Sequence, residues 1–107
     1  MRFLCIDLGD KRTGLAVGDD ELNMAHPVCV LEIPIGQPLV DAIIEAIGKH
    51  AADELVIGLP LHMDGTEGQR AKITKAFADQ VGNVVDITIN FQDERLTSAA
   101  AEELLSG

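Results

Sequence analysis

Tryptophan and tyrosine are absent from this chain of 107 residues, and phenylalanine occurs only three times. Proteins that hold single strands of nucleic acid by stacking bases need aromatic rings, so a stacking platform is excluded. Cations are also scarce. Eight Lys and Arg face eighteen Asp and Glu, for a net charge of −10. Diffuse binding to a phosphate backbone depends on many cations, so any contact with nucleic acid has to be local. No apolar run approaches the ~20 residues that cross a bilayer. Met1-Arg2 leads straight into a strand pattern rather than a leader peptide, and no membrane partner is expected. The two cysteines, Cys5 and Cys29, lie in apolar runs without metal-ligand spacing. They read as buried free thiols, which implies a cytoplasmic location.

Apolar residues make up 47% of the chain, enough for one packed domain over residues 1–107. Strand and helix patterns alternate. Residues 2–8 and 13–18 form a hairpin, and 27–33 a third strand rich in β-branched residues. Leu39, Val40, Ile43, Ile44 and Ile47 recur at helical spacing, so 38–50 is an amphipathic helix. Residues 55–59 suit a central parallel strand, followed by a loop over 60–65. Thr66 and Gln69 have capping-box spacing, so a second helix is expected over 67–81 with Ile73, Ala76, Phe77 and Val81 inward. A fifth strand is expected over 84–91 and a last helix from Thr97, with Leu96, Ala100, Leu104 and Leu105 as its stripe. A hairpin-linked meander followed by βαβ crossovers gives an α/β mixed sheet with helices on its faces. Right-handed crossovers put the fourth and fifth strands beyond the first, which becomes central.

In such sheets ligands bind outside the carboxyl ends of the strands. Asp7 ends the first strand, the 60–65 loop follows the fourth, and Asp93-Glu94-Arg95 lies near the end of the fifth. An Asp at the end of an apolar strand before a glycine-flanked turn is either a corner residue or a ligand, because a desolvated carboxylate needs a partner. Asp93 and Glu94 also suit a helix N-terminus. Six of the eight cations fall in or beside these segments: Lys11, Arg12, Arg70, Lys72, Lys75 and Arg95. The turn before the second helix, with the helix's free N–H groups, suits a phosphate, and cations in its first turns oppose the macrodipole. His62 is read as an exposed loop residue, and His26 and His50 as structural or surface residues.

Three segments together, Asp7-Leu8-Gly9-Asp10-Lys11-Arg12-Thr13-Gly14, Gly58-Leu59-Pro60-Leu61-His62-Met63-Asp64-Gly65-Thr66-Glu67 and Asp93-Glu94-Arg95-Leu96-Thr97, resemble the signatures of the RuvX/YqgF family. That family comprises ribonuclease-H-like Holliday junction resolvases, also described as pre-16S ribosomal RNA nucleases. The resemblance runs nearly end to end and implies a five-stranded sheet in the order 3-2-1-4-5. It also implies a metal-dependent phosphodiesterase acting on structured RNA or branched DNA. Asp7 and Glu94 would ligate Mg²⁺ or Mn²⁺, with Asp93 as a further catalytic candidate, since hard cations take carboxylate oxygens. Nucleic acid would meet Lys11, Arg12, Arg70, Lys72, Lys75 and Arg95. With at most six phosphate contacts, the log–log salt slope would be shallower than about −5.4.

One departure stands out. The family carries a third acidic ligand in a segment beyond the last helix, and Glu102 and Glu103 do not match it. The expectation is a weak nuclease that forms a homodimer, with Glu102 or Glu103 lent across the interface. The rival reading is a nucleic-acid-binding or protein-interaction module on the same fold. The Asp-x-Gly turn also resembles the first phosphate loop of actin-like ATPases, but those need two such domains around a cleft.

Overall fold

The computed structural model describes residues 1–19 and 24–95, and of residues 24, 25, 94 and 95 the backbone alone. Its elements are β1 (Arg2–Leu8), β2 (Thr13–Asp19), β3 (Met24–Leu31), α1 (Gln37–Lys49), β4 (Glu54–Leu61), α2 (Gln69–Gly82) and β5 (Thr88–Arg95). They form one sheet in the order β3-β2-β1-β4-β5. β1 pairs antiparallel with β2 and parallel with β4, which pairs parallel with β5. The fold is ribonuclease-H-like, with β1 at the centre.

Alternation along β1 splits its side chains. Leu4, Ile6 and Leu8 are buried, while Phe3, Cys5 and Asp7 point the other way. Leu55, Ile57 and Leu59 of β4 join the buried side. Onto that side pack Leu39, Val40 and Ile43 of α1 and Phe77, Ala78 and Val81 of α2, in one core cluster. Each fully buried Leu, Ile or Phe contributes roughly 1.5–3 kcal/mol. Both crossovers, β3 to β4 and β4 to β5, run in the same direction across the sheet. Right-handed connections of that kind leave both helices on one face. Among the described residues the second face carries no helix; the expected last helix lies outside them.

Several boundaries differ from the sequence reading, each for a local reason. β5 covers Thr88–Arg95 rather than 84–91. Val84 and Val85 instead close the exit of α2, donating their N–H groups to the Val81 carbonyl at 3.0 and 3.1 Å. The capping box does not form. Both the N–H and the hydroxyl of Thr66 donate to Asp64 Oδ1, at 3.0 and 2.6 Å, and Glu67 bridges back to Leu61. The N-cap of α2 is therefore Gly68, without a side-chain cap. The inward face of α2 is Ala71, Thr74, Phe77, Ala78 and Val81, one step from the expected stripe, with Ala76 exposed. β3 starts earlier and ends at Leu31, leaving Ile33 packed against the core from the following loop. The cysteines are not buried. Cys5 is half-buried on the helix-free face, and Cys29 is exposed on β3, an edge strand. The expected last helix, with Glu102 and Glu103, lies outside the described residues.

Candidate functional site

β1 keeps its pairing with β4 only as far as Ile6↔Ile57, whereas β4 and β5 stay paired to Leu61↔Arg95. The sheet thus opens between its two central strands near its carboxyl edge, and Asp7 stands at that opening. Its carboxylate is exposed on the helix-free face, and it makes no hydrogen bond or ion pair among the described residues. Gly14 is its partner on β2. A methyl group at Gly14 would meet only the Asp7 β-carbon, at 3.8 Å. On the β4 side the next residue past the last pair is Gly58, itself opposite Gln92 of β5. Asp7 is therefore flanked on both neighbouring strands by residues without side chains.

Register separates the two acidic residues of β5. Asp93 pairs with Leu59, which is buried against the helices, so its position belongs to the helix-bearing face. Glu94 pairs with Pro60, in the same alternation as Gly58, and its position shares the face of Asp7. Two strand spacings, about 10 Å, lie between the two positions sideways. A helix N-terminus for Asp93 and Glu94 is ruled out, since both lie within β5.

The turn between β1 and β2 is tight. A side chain at Gly9 would collide with the Arg12 carbonyl oxygen. Lys11 and Arg12 at its tip are exposed, and Arg12 has only a loose ion pair with Glu32 at 4.0 Å. The β4–α2 loop is folded on itself. The His62 N–H donates to the Thr66 carbonyl at 2.9 Å, and the Gly65 N–H to the His62 carbonyl at 2.8 Å. The His62 side chain is exposed, with its ring lying on Gly68, where an added β-carbon would come within 2.5 Å of Nε2. The carboxyl of Asp64 is held below its usual range by the hydroxyl and then the N–H of Thr66, with His62 adding attraction.

The six expected nucleic-acid contacts do not form one free surface. Arg70 is engaged by other parts of the chain. Its Nη1 donates to Asp10 Oδ1 at 2.9 Å and its Nη2 to the Leu8 carbonyl at 3.3 Å. Lys75 is paired with Glu67. Lys11 and Lys72 are exposed and unpaired among the described residues. Arg95 is placed only by its backbone, at the end of β5. α2 packs on the helix-bearing side, so its N-terminus and the Asp7 carboxylate stand on opposite sides of the carboxyl edge. Sequence reasoning missed the link between Asp10 and Arg70, residues 60 apart. No local pattern could have disclosed it.

The RuvX family, described as Holliday junction resolvase, matches the chain over residues 1–107. The chain belongs to this family. RuvX proteins are nucleases, enzymes that hydrolyse ester bonds, and similar proteins carry that name. A provisionally named pre-16S rRNA nuclease from Anaeromyxobacter is 36% identical over 105 residues, which are 98% of this chain and 77% of that protein. One of the same name from Brucella anthropi is 39% identical over 102 residues, covering 95% of this chain and 62% of that protein. Among solved structures, Thermus thermophilus RuvC aligns with a TM-score of 0.61 at 10% identity, over 87% of this chain and 64% of its own. The fowlpox virus Holliday junction resolvase aligns with a TM-score of 0.58 at 12% identity, over 99% of this chain and 70% of its own. At such identities the likeness is one of fold. It shows that the chain shares the ribonuclease-H-like sheet of those proteins.

Proposed function

We propose that this protein hydrolyses phosphodiester bonds of structured nucleic acid at the carboxyl edge of its sheet, using Mg²⁺ or Mn²⁺ held by Asp7 and Glu94. The observation that carries the reading is Asp7. It is an exposed carboxylate near the end of the central strand, without a hydrogen bond or ion pair among the described residues, on a face cleared by Gly14 and Gly58. The carboxylate is open to solvent, and the bare strip beside it leaves room for a cation with its waters. The donor chemistry fits a hard cation, because carboxylate oxygens with no sulfur or imidazole suit Mg²⁺ and Mn²⁺. Such a cation, when bound, makes a water acidic enough to attack at neutral pH and offsets charge on the leaving oxygen.

The chain's own residues do the rest. Asp7 would hold the cation from β1 and Glu94 from β5, and the position of Gln92, opposite Gly58, shares their face. The bare strip at Gly14 and Gly58 lets a phosphodiester backbone reach the carboxylate. Lys11 and Arg12, at the tip of the turn that follows Asp7, are exposed cations that could meet flanking phosphates. Asp93, on the other face, is not needed. The substrate we favour is a structured RNA precursor such as the 5′ end of pre-16S rRNA, because the similar proteins at 36% and 39% identity are named for it. Branched DNA is the neighbouring choice. We place the protein in the cytoplasm, where Cys5 and Cys29 would stay reduced.

A second reading, a binding module with weakened catalysis, draws on one observation. No three His, Cys, Asp or Glu side chains gather into a metal site among the described residues. One assay separates the two readings. The protein is incubated with Mn²⁺ and either a precursor rRNA or a four-way junction, with Asp7→Asn alongside. Cleavage by the wild type and none by the variant is the expected result. Binding without cleavage in both would favour the module.

A further inference from the structure

We infer that Arg70 is a positioning residue for Asp7, its guanidinium fork tying the end of β1 and the turn beyond it to the first turn of α2. One arm holds the Leu8 carbonyl, immediately after Asp7, and the other holds Asp10 in the turn. The need for a tie follows from the sheet. β1 loses its β4 neighbour after Ile6, so Asp7 and Leu8 are paired only toward β2. The ligand-bearing end of the central strand would otherwise be held from one side. Arg70 supplies the second support from a different element.

Stability alone does not account for this placement. Arg70 is the second residue of α2, whose first turn has no acidic residue and no side-chain cap. A cation there opposes the helix dipole. The pair with Asp10 is solvent-exposed, with 46% and 72% of the two side-chain surfaces accessible, and exposed pairs contribute little. What the planar fork provides is geometry, since it fixes two acceptors at once where an ammonium would fix one. The same engagement removes Arg70 from the cations free to meet phosphate.

The inference rests on the reading of Asp7 as a cation ligand, and the sign of one measurement distinguishes the roles open to Arg70. A cation that acts only through its charge repels Mn²⁺, so its removal would tighten binding. A phosphate contact would leave metal binding unchanged or tighter. A positioning residue is the case in which removal weakens it. Mn²⁺ affinity is measured by calorimetry for the wild type, Arg70→Gln, Arg70→Lys and Arg70→Gln with Asp10→Asn. Amide hydrogen exchange over residues 7–13 is followed in parallel. Arg70→Gln is expected to bind Mn²⁺ about tenfold more weakly, the order of loss seen when a ligand's supporting partner is removed. Exchange over 7–13 should quicken, Arg70→Lys should fall between, and adding Asp10→Asn should cost little more, because the two groups act as a unit. Equal or tighter Mn²⁺ binding by Arg70→Gln would overturn the inference. A wild type that binds no Mn²⁺ would instead sink the proposed function. Exchange would then decide the tie alone, and unchanged exchange over 7–13 in Arg70→Gln would overturn it.

Discussion

Asp7 and Asp64 are both exposed carboxylates at the carboxyl edge, and their surroundings differ. Asp64 is answered from within its own loop by the hydroxyl and N–H of Thr66, which hold its pKa below the ordinary value of 3.8. A lowered folded-state pKa contributes stability above the unfolded value, and that contribution is lost as pH falls through the folded one. The 62–66 loop should therefore keep its form at neutral pH and loosen below about pH 4, near the unfolded carboxyl pKa. The Thr66 amide resonance, followed by NMR through an acid titration, should move over that range, and in Asp64→Asn the movement should vanish. A Thr66 amide that titrates identically in both proteins would show that the carboxylate does not organise the loop. Asp7 has no such answering donors among the described residues. That contrast was partly legible in the sequence, because alternation along an apolar strand leaves an Asp facing away from the core. The resemblance favoured Glu94 over Asp93, but the face each occupies was not legible, because it depends on the register of β5 against β4. Arg70 read as a phosphate contact because its partners are 60 and 62 residues away.

At the scale of elements, the chain obeys local rules where competition is weak and departs from them where tertiary pairing intervenes. α1 follows its apolar stripe closely, with Leu39, Val40, Ile43 and Ile47 buried as their spacing implies. Its exit is a Schellman turn. The Ala51 N–H donates to the Gly48 carbonyl at 3.3 Å and the Ala52 N–H to the Ile47 carbonyl at 3.1 Å. Ala51 takes the left-handed conformation this turn requires, at φ 51°, a state that costs an L-residue roughly 1–2 kcal/mol. Ala51→Gly should relieve part of that strain, offset by the greater freedom of glycine in the unfolded chain. A net gain of about 0.5–1 kcal/mol is expected, or a rise of a few degrees in Tm at this size. A lower Tm in thermal unfolding would contradict the account of that turn. At α2 and β5 the local signals misled. Thr66 looked like a cap, but Asp64 took its donors first. Val84 and Val85 looked like strand residues, but the helix exit used them, and β5 found its register four residues later against β4.

For the whole molecule, the order of strands and the direction of the crossovers decide where function sits. Both helices cover one face, and Asp7 rises on the other, between Gly14 and Gly58. The meander and the two crossovers were legible in the alternation of apolar patterns, and the central position of β1 followed from handedness. That both helices share a face also follows from the direction of travel, once β3 is known to run parallel to β4. With a net charge of −10, the overall field favours a cation but opposes a polyanion, which must be drawn in by local groups. The account therefore stands on Asp7. Calorimetric titration of Mn²⁺ into the wild type and into Asp7→Asn tests it most directly, since the amide keeps the shape of the side chain and removes its charge. The wild type should bind Mn²⁺, and the variant, folded to the same degree by circular dichroism, should have lost most of that affinity. Equal affinity in the two proteins would contradict the assignment of Asp7 as the metal ligand.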